Sequence, residues 1–518
     1  MNPGYYQSEW AALREADPDV RDVRALADRL ALAFLDDHYY RGVFDADAIE
    51  LLCEMGVHFE DEPRRCAAAA ALFGIVVEGL CDDFEPLQAE AYNNVMSCVL
   101  SHCRRWPGAA ALDRDLSSFA LESFQDIYRR SERLRCEHQA PFAAAGRPVE
   151  KVLLLSRVTL GADVAITSVL VQRLADRFAQ ADLVIVGGPK LGELFGAHPR
   201  LRVRPVDYPR RGGMLERFAV WQAVLAAVRD EIGGLPAGAG VIVDPDSRLS
   251  QLGVLPVAQG DALAFFNSRQ YDESTARLAM AELANRWADS VFGPGPRRYP
   301  RVWLPSEPLR RGRAFCDRCR AGGRRLVCVS FGVGGNDRKR VGERFERLLI
   351  AGLLAEPHTC VLLDSGAGQV ERARTAGLLA EMGAGGHAVC RTTLEAPEGP
   401  DGSARLIAVE TGIGEFAAVI GSADEYIGYD SAGQHLAAAQ AVPCYTVFAG
   451  TNDTRFVRRW RAFGPGEFHV IHADTLRDGP GGDEGRTVAR VLDRRREACG
   501  GAAAAIARPA LCGSPGGP

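Results

Sequence analysis

From Lys151 onward the chain repeats one pattern: a short apolar run, a small-residue turn, then a helical segment. Apolar runs of strand length that alternate with helices need a parallel sheet covered on both faces, because neither face of such a strand carries polar side chains for water. The expected strands in the first series are KVLLLS at Lys151–Ser156, Asp182–Val186, Leu201–Val206, Gly240–Val243 and Leu263–Asn267, with a helical segment from Asp163 and another over Met214–Arg229. Gly293–Arg313 then lacks any sustained period and is rich in Pro, Gly and Arg, as an interdomain linker is. A second series follows it. Its strands are Leu326–Phe331, Thr359–Asp364, Arg405–Val409, the apolar run ending at Asp430, Tyr445–Ala449 and Phe468–Ile471, with a charged helix, Gly485–Cys499, at the end. Leu394–Ser403 reads as an irregular insert.

The first 146 residues have a different texture. Val23, Leu26, Leu30, Ala33 and Phe34 form one amphipathic stripe, and Asp45–Met55 forms a second helix stopped by Gly56. Pro63–Leu80, Pro86–Trp106 and Asp115–Arg135 continue the helical pattern. The expected organisation is therefore an all-α segment (1–146), an α/β lobe (150–292), a linker (293–313), a second α/β lobe (314–500) and a flexible tail (501–518). A length of 518 residues suits about three domains. The helical segment resembles no family; its expected role is a scaffold or oligomerisation module packing on the α/β lobes, with acceptor binding as the alternative reading.

Composition removes several function classes. A net charge of -6 argues against a general nucleic-acid binder. No run reaches the roughly 18 apolar residues of a membrane span. MNPGYYQSEW has neither a basic start nor an apolar signal core, so the expected location is cytoplasmic, with peripheral association at the inner membrane face left open. The 14 cysteines are then expected as reduced thiols, mostly packed as small hydrophobes. Cys316 and Cys319 form a C-x-x-C without a second pair, and Cys98, His102 and Cys103 lack a fourth ligand, so neither group predicts zinc. His469 and His472 straddle a strand on opposite sides of its period and make no metal pair.

Chemistry is expected just after strands, where open α/β sheets bind ligands. Ile427–Gly450 reads as a strand ending at Asp430, a small-residue turn and a helix whose first turn carries His435. Such a turn brings backbone N–H groups to an anion, and the helix dipole adds partial positive charge. SFGVGGNDRKR at Ser330–Arg340 is a glycine-rich loop, in which Gly332, Gly334 and Gly335 permit close backbone approach and Lys339 supplies a point charge. SRVTLGADVAIT at Ser156–Thr167 carries Asp163, whose carboxylate suits either a general base or a helix cap. Asp244-Pro245-Asp246 is a D-x-D read as turn-forming or acceptor-facing, and Arg210, Arg211 and Arg248 could meet an anionic acceptor or simply be solvated.

The Ile427–Gly450 stretch resembles the nucleotide-sugar-binding segment of the heptosyltransferases, inverting glycosyltransferases of the GT-B type with two Rossmann-like lobes. Asp430, Ser431, His435, Leu436, Ala437, Ala438 and Phe448 stand in that family's pattern; Ala432 replaces its glycine, with Gly433 one place later. The family's Gly-Asp pair in the first βα loop is matched by Asp163, Val164 and Thr167, with Ala162 inserted after Gly161. The resemblance covers about residues 150 to 500. It implies an α/β GT-B fold preceded by the all-α segment, and Asp163 as catalytic base. Donor contacts are implied from Lys339, Gly334, Gly335, Asp430, Ser431, Ala432, Gly433 and His435, and ribose or base contacts from Gln369 or Glu371. It further implies a nucleotide-sugar donor, with ADP-heptose expected, and no cofactor or metal. The acceptor is left open among a glycan, a glycolipid and a small molecule. Two alternatives stand beside it: a nucleotide-sugar epimerase of the same fold, and a degenerate sugar-nucleotide-binding scaffold.

Overall fold

A computed structural model describes residues 3–80, 84–137, 142, 147–209, 212–258, 262–270, 272–395, 403–478 and 483–506. Two compact units divide the chain. One comprises Met1–Trp303 with Asp453–Arg459, the other Leu304–Asn452 with Trp460–Pro518.

The first unit opens with helices Pro3–Glu15, Val20–Arg41, Ala46–His58, Glu62–Ala70, Pro86–Cys103, Ala110–Ser118 and Phe124–Cys136. Local chemistry sets most ends. Asp19 accepts from the N–H groups of Arg21 and Asp22, and Gly42 closes the same helix in the left-handed region at φ 62°. Two expectations need correction. Gly56 does not stop its helix, which runs on to His58; a Cβ there would lie 2.8 Å from Met214 Cγ, so Gly56 serves close packing. Asp115–Arg135 is two helices, broken at Ala120 (φ 55°) and restarted by a capping box in which Ser123 and Asp126 serve each other.

The expected strands follow as β1 (Lys151–Leu155), β2 (Asp182–Gly187), β3 (Leu201–Pro205), β4 (Gly240–Asp244) and β5 (Leu263–Phe265). They form a parallel sheet in the order β3-β2-β1-β4-β5. Helix Met280–Phe292, absent from the sequence reading, packs against the helical run that follows β1. Val23, Leu30 and Leu52 of the helical segment share one core with Leu153, Val184 and Ile242 of the sheet. Arg130 fastens them further by donating to the carbonyls of Gly253 and Ala258 at 3.0 and 3.1 Å. The composition change near residue 146 therefore marks a change of secondary structure within one core.

The expected linker is shorter than 293–313. Helix Ser306–Cys319 begins inside it and buries Gly312, Phe315, Cys316 and Cys319 in the second unit. A Cβ on Gly312 would stand 2.8 Å from Ala418 Cβ, and Cys316 Sγ lies 3.7 Å from the Val419 carbonyl oxygen, so the C-x-x-C belongs to a packed helix face. The second sheet contains β6 (Arg325–Ser330), β7 (Thr359–Asp364), β8 (Val389–Thr393), β9 (Leu406–Glu410), β10 (Glu425–Tyr429), β11 (Cys444–Phe448) and β12 (Phe468–His472). All pairings are parallel, in the order β12-β11-β10-β6-β7-β9-β8. β8 went unread in the sequence; it is a half-buried edge strand and carries no long apolar run. The closing helix extends over Glu484–Ile506, into the segment expected as tail. Residues 396–402 of the expected insert and 507–518 of the expected tail lie outside the described residues. No helix among the described residues is long and apolar enough to cross a membrane.

Candidate functional site

Each sheet has one place where successive connections leave in opposite directions: β1/β4 in the first and β6/β10 in the second. The carboxyl ends at such a point are where α/β sheets bind ligands. Both predicted chemical loops arise there.

In the second sheet β10 ends at Tyr429, so Asp430 and Ser431 project from its carboxyl end into the helix Ala432–Ala439. Ser431 is extended and makes no side-chain cap bond. First-turn N–H groups have no partner within their own helix, which suits them to an anion. From the neighbouring β6, the loop passes through Gly334 and Gly335 with φ of 63° and 87°, then a 3-10 turn at Asp337–Lys339. This route brings Lys339 Nζ to 2.6 Å from Asp430 Oδ2, and Gln434 Nε2 donates to Asp430 Oδ1 at 2.6 Å. Gly450, at φ 77°, packs its Cα against the Arg338 carbonyl, where any Cβ would collide. Lys339, Asp430, Ser431, Ala432 and Gly433 are thus assembled at one strand pair, while Gly334 and Gly335 form the exposed apex of the adjoining loop.

His435 is buried, and desolvation lowers its pKa to about 4, with Lys339 acting in the same direction and Asp430 opposing. At neutral pH it is an uncharged imidazole, edge-on to Trp460 at 6.2 Å between centroids. It therefore adds no positive charge to the anion cradle. Arg340 is likewise committed elsewhere: it forms a double hydrogen bond with Glu346, at 2.7 and 2.8 Å from one nitrogen, and Tyr429 donates to the same carboxylate at 3.1 Å.

Of the two ribose or base candidates, Gln369 is exposed at its helix start. Glu371 is half-buried, accepts from the Ala367 N–H at 2.9 Å and fills the space left by the missing Cβ of Gly366. Beside it Asp364 accepts from Ser330 Oγ at 2.9 Å and from the Gly366 N–H at 3.0 Å, and burial raises its pKa. Asp364 opens the stretch Asp364–Gln369 in which ribose or adenine contacts are expected, where the sequence reading named Gln369 or Glu371 for the role.

In the first sheet, Asp163 lies in a π-turn (Asp163–Thr167) within the helical run from Leu160 to Arg177. A π-turn holds more residues per turn than an α-turn. Thr159, not Asp163, occupies the N-cap position. The Asp163 carboxylate instead gathers the loop, accepting from Ser156 Oγ at 2.7 Å, the Arg157 N–H at 2.7 Å and Thr167 Oγ1 at 2.8 Å. A carboxylate has about four acceptor positions, so these three donors leave one unfilled, on Oδ2. Burial pushes its pKa to about 6, against the lowering effect of those hydrogen bonds. Between Ser156 and Asp163, Val158 sits at φ 71°, a costly conformation for a β-branched residue.

The D-x-D at the end of β4 is buried. Asp246 accepts from Ser268 Oγ at 2.7 Å and lies 3.3 Å from Arg269 Nε and 3.7 Å from Arg157 Nη1. Asp244 accepts from the Ser247 N–H at 2.8 Å, and burial raises its pKa to about 6. Of the two readings, turn-forming agrees with this burial and with Asp246 at φ 61°. Arg248 is half-buried; Arg210 and Arg211 lie outside the described residues. Among the described residues no group of three or more His, Cys, Asp or Glu side chains is arranged to hold a metal ion.

Comparison with known proteins places a family on the second sheet. Residues 390–464 match the model of glycosyltransferase family 9 (heptosyltransferase), a span that takes in β9, β10, β11 and the segment Asp430–His435. Similar solved structures include the glycosyl transferase family 9 protein of Veillonella parvula, at 13% identity and TM-score 0.49 over 68% of this chain and 98% of that one. The E. coli heptosyltransferase WaaC with ADP is similar at 17% identity and TM-score 0.45, over 67% and 99%. E. coli ADP-heptose lps heptosyltransferase II is similar at 14% and 0.42, over 67% and 99%. No curated protein matches the sequence. A segment similar to glycosyltransferase family 9 (heptosyltransferase) therefore lies at the carboxyl end of the second parallel sheet.

Proposed function

We propose that the protein transfers a sugar, with inversion, from a nucleotide diphosphate donor to an acceptor hydroxyl, and that the donor is ADP-heptose. The observation that supports this most is the meeting of Lys339 and Asp430 at the start of helix Ala432–Ala439, within 2.6 Å, since the family-matched segment and a loop from outside it converge on one anion cradle. In this reading the backbone N–H groups of Ala432, Gly433 and Gln434 and the Lys339 ammonium hold the diphosphate. Glu371 and Asp364 serve the nucleoside.

The chemical step forms a bond from the acceptor oxygen to the anomeric carbon as the bond from that carbon to the diphosphate oxygen breaks. Its electron pair departs on the diphosphate. The acceptor's proton passes to the Asp163 carboxylate, which at about 6 combines a basic site with an ionised fraction near neutral pH. The cradle stabilises the charge that develops on the leaving group, the task a divalent ion performs elsewhere, so the reading assigns no role to a metal. Thermal melting with ADP-, UDP- and GDP-sugars tests the donor assignment. ADP-heptose is expected to raise the melting temperature most, and a chain stabilised by none of the three overturns the reading.

A further inference from the structure

The residues flanking Lys339 and Asp430 are tied together by a side chain that has no part in the function above. Glu346 lies in the helix Glu343–Leu354 and is buried. Its carboxylate accepts from Arg340 Nη2 at 2.7 and 2.8 Å, from Arg340 Nε at 3.0 Å and from Tyr429 Oη at 3.1 Å. Tyr429 Oη in turn accepts from the Val341 N–H at 3.3 Å. Arg340 and Val341 directly follow Lys339, and Tyr429 directly precedes Asp430. The knot therefore fastens the backbone one residue away from each partner of the 2.6 Å contact between Lys339 and Asp430. A buried ion pair adds little net stability, because taking both charges out of water offsets their attraction. What it does supply is direction, since the planar guanidinium fork meets a carboxylate in a fixed geometry.

We propose that Glu346 is a positioning residue of the donor site: by gripping Arg340 and Tyr429 together it holds Lys339 against the start of the helix Ala432–Ala439, so that the ammonium and the backbone N–H groups there act on one diphosphate. This rests on the donor-site reading above. Glu346 acts through Lys339 and needs no contact with the nucleotide. The loop that carries Lys339 has two glycines at positive φ, Gly334 and Gly335, and a 3-10 turn, Asp337–Lys339, in which no residue is buried. Such a backbone has many conformations to lose on binding. Arg340, the next residue after that turn, is where the loop meets a buried partner in the helix Glu343–Leu354. An anchor there orders the lysine before the nucleotide arrives and reduces the entropy lost on binding.

Glu346→Gln keeps the side-chain volume and removes the charge that holds the fork. Calorimetric titration of the full chain with ADP and with adenosine, together with a double-mutant cycle against Lys339→Ala, separates positioning from general loosening. Expected are an ADP affinity lower by about tenfold, an unchanged adenosine affinity, and a Glu346→Gln/Lys339→Ala chain that binds ADP no more weakly than Lys339→Ala alone. Tyr429→Phe removes one strut and leaves the ion pair; its loss of ADP affinity is expected to be about threefold, and it decides the question if Glu346→Gln does not fold. Parent-like or tighter ADP binding by these variants, with Lys339→Ala weakening ADP in parallel, overturns the Glu346 role and leaves the donor site standing. Losses that add in the double variant, or that fall equally on ADP and adenosine, make the knot structural and overturn the role as well. A parent chain that binds neither ligand removes the donor-site reading and this inference with it.

Discussion

The two strand pairs at which the sheets reverse direction share a topology and differ in what they place there. At β1/β4 the groups are carboxylates and arginines, buried and closely bonded: Asp163 holds three donors, and Asp246 sits among Ser268, Arg157 and Arg269. At β6/β10 they are glycines, backbone N–H groups and Lys339, whose side chain keeps 27% of its exposure. Burial disfavours charge, so the first arrangement raises the pKa values of Asp163 and Asp244. Open N–H groups beside an ammonium attract charge, so the second makes an anion site. Under the proposed function, one sheet topology thus serves as a proton acceptor or as a phosphate cradle, according to whether the loops after the strands are closed by side chains or left open by glycine.

The contrast breaks first at Asp163. Asp163→Asn is expected to lower turnover by about a thousandfold while ADP affinity stays unchanged; retained transfer would strip the first sheet of its chemical role. In the parent enzyme turnover should fall as pH drops through about 6, because protonation removes the base. A profile flat to pH 5 would point to another group.

Lys339→Ala comes next. ADP binding should weaken by about thirtyfold, read by calorimetry, with the Asp163 loop untouched. The variant also leaves Asp430 without its cation, so Lys339→Met combined with Asp430→Asn distinguishes lost attraction to phosphate from an uncompensated carboxylate.

A stability measurement sharpens the same comparison at Asp244. Its folded pKa, about 6, stands above its ordinary value of 3.8, so the folded state binds the proton more tightly than the unfolded chain. Stability from this group is therefore complete below the unfolded value and is lost as pH rises through about 6. Asp244→Asn should be more stable than the parent at pH 7, by about 2 kcal/mol, and the gain should vanish near pH 4 in urea denaturation. The smallest expected effect is that of EDTA, which should leave turnover unchanged if Lys339 and the helix N-terminus carry the diphosphate's charge; a loss restored by magnesium would reassign that work.

Legibility followed the same division. Apolar runs such as Val152–Leu155 and Leu326–Val329 announced central strands, because burial on both faces leaves nothing for polar residues to do. The edge strand Val389–Thr393 carries no such run and stayed hidden. Ser123 and Asp126 form a capping box readable in the sequence, yet the helical period across Asp115–Arg135 outweighed it. Within the site, Asp430 and Lys339 were legible as separate motifs from their types and their positions after strands. Their contact joins positions 91 residues apart, and only the order of β6 and β10 creates it.

The sequence by itself determined the two parallel sheets, the helical segment before them and the residue types at the strand ends, since period, apolarity and turn chemistry act over a few neighbours. Only the tertiary structure decided what those residues are for. Gly56 packs against Met214, Gly433 clears Tyr426, Asp163 gathers a loop where a cap was also readable, and His435 loses its charge. Each of these outcomes depends on burial and on partners distant in the chain, and both come into existence when the sheets assemble.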